Sequence, residues 1–161
     1  RNISINSFQD KISVLPFALS DKKGIHISSL KESIFVEGAA ENAFSVNFNW
    51  KGEMFNSNNE YNTVGTSIDY LVSNNYIDTP NYIKIDVDGI EHLILKGGIE
   101  TLKSKKIKSI SVEINDDFNL QNNECIKILE SCGFKFYQKK HSEMIDNSKY
   151  SNVYNYIFKK N

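Results

Sequence analysis

Tyr82-Ile83-Lys84-Ile85-Asp86-Val87-Asp88-Gly89-Ile90-Glu91 is the stretch that decides the fold. Its β-branched residues favour a strand, and Gly89 ends it. Ile90, Leu93, Ile94 and Gly97 then recur at helical spacing. The carboxylates of Asp86, Asp88 and Glu91 therefore fall on the turn from a buried strand into a helix. In open α/β sheets that strand end is where ligands bind. Three carboxylates there are costly unless they are solvated, paired or used.

The pattern extends in both directions. Downstream, the spacing predicts a helix from Ile90 to about Lys103, with Gly97-Gly98 allowing close packing or a bend. A strand is predicted over 107–114, with Glu113 at its end, and a helix over 122–132 with Gly133 as its cap. Two closing strands are predicted over 134–139 and 153–159. Upstream, Thr66 and Asp69 read as a capping pair before a helix bearing Ile68, Leu71 and Val72. Residues 12–19 read as a strand interrupted by Pro16, 20–24 as a turn and 25–30 as a second strand. Residues 1–10 read as the tail of a helix. Residues 31–62 carry Phe35, Phe44, Phe48, Trp50, Phe55 and Tyr61 without a clean period. They read as an irregular or short β insertion, either facing a substrate or merely anchored by its aromatics. The alternation argues α/β, with a mostly parallel sheet carrying an antiparallel strand near the C-terminus.

The 161 residues suit a single domain, and 40% apolar with 24% charged residues is enough for an ordinary core. A net charge of −1 with mixed signs gives no broad surface for nucleic acid or a polybasic membrane contact. No apolar run is long enough for a membrane span, and no signal peptide is visible. Cys125 and Cys132 lack zinc spacing and share a helical face with Ile128 and Leu129, so they read as reduced core thiols. A bacterial-type cytoplasm is the default location. The high Asn, Lys and Ile content points to an AT-rich genome. The chain begins at Arg1, so a preceding segment is expected.

Residues 83–91, then Leu95-Lys96-Gly97-Gly98, then Val112-Glu113-Ile114, resemble the core of the FkbM-type methyltransferases. Ala18-Leu19-Ser20-Asp21 with Gly24, Ser67-Ile68-Asp69-Tyr70-Leu71 and Asn155-Tyr156-Ile157-Phe158 resemble other parts of that family. The resemblance covers most of 12–158 and is strongest over 66–115. It implies a class I, Rossmann-like fold, S-adenosylmethionine as cofactor, and methyl transfer to the oxygen of a sugar or polyketide hydroxyl. A small-molecule or glycan acceptor would be the partner, and carbohydrate modification the role. Two departures stand out. The family's usual Glu is Asp88 here, and the glycine-rich cofactor loop and the ribose-binding acidic residue are absent. The resemblance thus implies the carboxyl-terminal part of a domain, lacking its first two strands. Such a sheet would have unpaired edges and a tendency to oligomerise.

Asp86 is the first site candidate, as cofactor contact, base or metal ligand. Glu91 reads either as a catalytic group or as a charge favouring its helix dipole, and Asp88 as a site group or the helix cap. Glu113 reads as a further catalytic candidate facing the same cleft. Ala18, Leu19, Ser20 and Asp21 would approach the adenine if the resemblance holds, a plain turn being the competing reading. No metal set is evident, and the need for a divalent metal is left open. His92 reads as a surface or partner histidine, and His26 and His141 have no ligand pattern around them. The lysines at 103, 105, 106 and 108 read as a solvated helix end.

Two rival functions remain. Asp86-x-Asp88-Gly89 also resembles the nucleophile motif of haloacid-dehalogenase-type phosphatases, though Ile90 stands where Thr or Ser is expected. A calcium loop fits worse, lacking a third ligand before the glycine. The other rival is a non-catalytic methyltransferase-fold remnant.

Overall fold

The computed structural model describes residues 2–33, 41–141 and 146–160. Phe35 lies outside them. The elements run α1 (Asn2–Ile5), β1 (Ala18–Leu19), β2 (His26–Glu32), β3 (Asn42–Phe44), β4 (Asn59–Thr66), α2 (Ile68–Ser73), β5 (Tyr82–Ile85), α3 (Glu91–Lys96), α4 (Ile99–Leu102), β6 (Ser109–Asn115), α5 (Asn119–Ser131), β7 (Lys135–Lys140) and β8 (Val153–Lys159). No helix among the described residues is long and apolar enough to cross a membrane.

The strands form two four-stranded sheets, ordered β1-β4-β2-β3 and β5-β6-β8-β7. The chain is mixed α/β, but the expectation of a mostly parallel sheet needs correction. Only β1–β4 and β5–β6 pair in parallel among the described residues; the other pairs are antiparallel. The reason is connectivity. Parallel neighbours need a long crossover, which α3 and α4 supply between β5 and β6. Residues 20–66 show no helix where they are described, so β2, β3 and β4 return on one another. The strand expected over 12–19 shrinks to Ala18–Leu19 because only those residues find a partner, Gly65 and Thr66.

The second sheet has one apolar face. Ile110, Val112 and Ile114 of β6 and Phe158 of β8 are fully buried with Leu95 of α3 and Cys125 and Leu129 of α5. Each such aliphatic side chain contributes roughly 1.5–3 kcal/mol by leaving water. Cys125 and Cys132 are free and buried in this core. The opposite face mixes polar residues with Ile157. In register, Lys84 lies beside Ser111, and Ser111 beside Ile157, while Glu113 lies beside Asn155.

The helix expected over 90–103 is broken at Gly97-Gly98 into α3 and α4. A Cβ on Gly97 would run into the carbonyl oxygen of Ser20, and one on Gly98 would press on Ile68 at 3.2 Å. The bare backbone thus lets the 20–21 turn and α2 dock on the break. The expected Thr66–Asp69 capping pair is replaced by another arrangement. Ser67 is the N-cap of α2, accepting the Tyr70 N–H at 3.3 Å. Asp69 instead accepts the N–H groups of Glu100 at 3.1 Å and Thr101 at 2.7 Å, so it caps α4.

Candidate active site

β5 ends at Ile85, and the chain turns through Asp86-Val87-Asp88-Gly89 into α3. Gly89 adopts φ 106°, a left-handed conformation that a side chain would strain, and a Cβ there would meet Trp50 Cα at 2.8 Å. This turn forms one wall of a cleft of about 590 Å³. Ala18 and Leu19 of β1, with Leu30, Phe44, Ile90 and Ile94, supply apolar surface, and Asp86, Asp88 and Asn42 supply the polar groups. The cleft therefore brings together four of the expected site residues, Asp86, Asp88, Ala18 and Leu19. Another cavity, of about 470 Å³, lies between α2 and α4 and includes the α4 cap Asp69 in its wall.

Asp86 is ion-paired with Lys84, two residues back on the same strand face. Glu113 stands next to Asp86, one step past the register pair Ile85–Val112. Burial first, and then the negative charge of Asp86, push the Glu113 carboxyl up to about 7. Such a group holds a proton near neutrality and can give or take it.

Asp88, on the cleft wall, is held by a second contact. Its Oδ2 accepts the Asn42 N–H at 2.8 Å. The expectation that it caps α3 is corrected: the N-cap position is Ile90, with no side-chain cap. Burial raises the Asp88 carboxyl above the usual carboxylate range, and Asn42 opposes that.

Glu91 is placed away from the cleft. It is 0% exposed. Oε1 accepts the Val87 N–H at 3.2 Å, and Oε2 accepts from Gln121 Nε2. Burial pushes it up to about 8, with Gln121 and nearby backbone amides pulling the other way. Glu91 is thus enclosed by its own hydrogen bonds and is not among the residues that line the cleft.

Ser20 and Asp21 also turn away from the cleft. Ser20 N–H donates to the Thr66 carbonyl at 2.8 Å, and its Oγ lies 3.3 Å from His26 Nε2. The Asp21 carboxylate lies 3.8 Å from Lys96 Nζ. His92 is not at the surface: it is buried between Phe48 and Phe118, at ring distances of 6.2 and 6.1 Å, and burial lowers its pKa. His141 lies tilted against Tyr154, ring centroids 4.4 Å apart, and its Nε2 is 3.0 Å from Asp146.

Three partners escaped the sequence reading. Lys84 was legible in principle, since it alternates with Asp86 on one strand face. Asn42 and Gln121 reach Asp88 and Glu91 from 46 and 30 residues away and carry no local signal. Among the described residues, no group of three or more His, Cys, Asp or Glu is placed to hold a metal ion.

A family model described as the methyltransferase FkbM domain matches residues 3–136. No curated protein and no solved structure matches.

Proposed function

The chain belongs to the methyltransferase FkbM domain family, and from that premise we propose that it moves a methyl group from S-adenosylmethionine to a hydroxyl of a sugar or related small molecule. The carrying observation is the Asp86–Glu113 carboxylate pair beside an apolar-walled cleft, at the carboxyl end of the parallel β5–β6 pair. That strand pair, its α3–α4 crossover and the antiparallel β8 support a class I, Rossmann-like reading of the fold.

The cleft residues suit the adenine and sulfonium parts of the cofactor. An adenosine ring needs apolar walls, which Ala18 and Leu19 would provide, and a sulfonium cation favours nearby negative charge, which Asp86 and Asp88 would provide. When bound, the cofactor supplies an electrophilic methyl on a good leaving group. The protein's share is then positioning, exclusion of water and handling of one proton. Asp86 takes the acceptor's hydroxyl proton at its carboxylate and shares it with Glu113. Lys84 balances the charge of the pair. The phosphatase reading is less well supported, because it needs Asp86 and Asp88 to address one phosphorus atom and the Asn42 amide engages Asp88.

Calorimetric titration of S-adenosylhomocysteine into the full natural protein tests this reading. Binding is expected in the parent and lost in Ala18→Trp, which fills the cleft. Transfer of a labelled methyl to a sugar hydroxyl then tests the acceptor class. A parent that does not bind sinks the cofactor assignment and favours the non-catalytic remnant.

A further inference from the structure

We propose that Glu91, Gln121 and Asn115 form a hydrogen-bond relay that converges on Glu91 and positions the cleft turn, making Glu91 a positioning residue that acts through Val87. The proposal rests on reading the Asp86–Ile90 turn as a wall of the active site.

All three side chains are buried, at 0%, 2% and 4% exposure. The relay starts at the cleft, where the Val87 N–H donates to Glu91 Oε1 at 3.2 Å. Gln121 Nε2 donates to Glu91 Oε2, and the Asn115 N–H donates to Gln121 Oε1 at 2.9 Å. Asn115 Nδ2 donates to the Trp50 carbonyl at 3.2 Å. The Trp50 turn is the one that abuts Gly89. The cleft turn is thus gripped on one side by Glu91 and on the other by a turn that the same relay holds.

The direction of the relay is forced. A backbone N–H can only donate, so Asn115 fixes which end of the Gln121 amide faces it. The Gln121 NH₂ must then face position 91. The Val87 N–H also donates to position 91, so that residue has to accept at both ends. The ionised carboxylate, the form Glu91 takes at pH 9, does so; an amide accepts at one end only. Glu91→Gln therefore leaves one donor facing another inside the core. Gln121→Glu alone sets two carboxyl groups against each other. The double exchange restores the three relay bonds: the new amide accepts from Val87 and donates to the new carboxylate, which accepts from Asn115.

Amide hydrogen exchange at Val87, read by NMR at pH 9 in the full natural protein, tests the relay. Protection in Glu91→Gln is expected to fall about tenfold, the cost of one unmet buried donor. Glu91→Gln combined with Gln121→Glu is expected to recover to within about threefold of the parent. S-adenosylhomocysteine affinity is expected to follow the same order. If the single variants do not fold and the double one does, the relay is equally supported. A double variant that is no better protected than Glu91→Gln, or that does not fold, overturns it. A parent that binds no S-adenosylhomocysteine defeats the functional reading alone, because the exchange at Val87 still decides the relay.

Discussion

The carboxyl of Glu113 stands beside that of Asp86, one residue beyond the last matched pair of β5 and β6, Ile85 and Val112. Parallel register creates this neighbourhood, since residues that far apart in sequence have no local reason to meet.

The pair sets a pH dependence. Glu113 is pushed up to about 7, so its proton leaves as the pH rises through that value, and the Asp86–Glu113 pair becomes free to take up the acceptor's proton. Methyl-transfer kcat/KM should climb through about 7 and then level off. Glu113→Gln should lower the plateau about 100-fold and abolish that inflection, as measured by a pH–rate profile.

Glu91 gives a stability signature of fixed sign. Its folded-state value is raised from 4.5 to about 8, so the folded protein holds a proton that the unfolded chain releases. That contribution is full below pH 4.5 and is lost as the pH rises through about 8. Glu113 acts in the same sense up to about 7. Thermal unfolding midpoints should therefore decline from acid to mildly alkaline pH. Glu91→Gln should flatten the part of the decline above about 7, the portion Glu113 does not reach.

Gly97 offers a steric test. A methyl there collides with the Ser20 carbonyl, and Asp21 Cα lies 3.1 Å away, so backbone has to move. Gly97→Ala should cost about 1–3 kcal/mol, read from the urea midpoint. An unchanged midpoint would show that the 20–21 turn is not seated on the helix break.

Asp69 caps a helix it does not belong to. Asp69→Ala leaves the Glu100 and Thr101 N–H groups without their acceptor. The expected loss is about 0.5–2 kcal/mol, and Asp69→Asn should retain part of it. Chemical denaturation of the three proteins measures the series.

Much of the second sheet is legible along the chain. The β-branched run before Gly89, the helical spacing after it and Gly133 past α5 each signal their element locally. The same holds for the two core thiols, because Cys125 and Cys132 share a face with Ile128 and Leu129. The misreadings share one physical origin. Asp69 looks like the partner of Thr66 because they are close in sequence, yet its bonds reach α4, 31 and 32 residues on. Glu91 reads as a catalytic group or a first-turn charge favouring its helix dipole, and only the fold shows Gln121 enclosing it. Ser20 and Asp21 look continuous with Ala18 and Leu19, but docking on Gly97 turns them from the cleft. The pairing of β2, β3 and β4 depends on contacts that no period in residues 31–62 announces.

The break at Gly97-Gly98 also governs how the molecule assembles. It leaves segments of six and four residues, each well below the length at which a helix sustains itself in water. Neither can act as a seed for folding. Their turns become worthwhile only once β5 and β6 are aligned and Asp69 and Ser20 have arrived from elsewhere. Protection of their amides should therefore emerge late and all at once, making the crossover a gauge of cooperativity for the whole sheet.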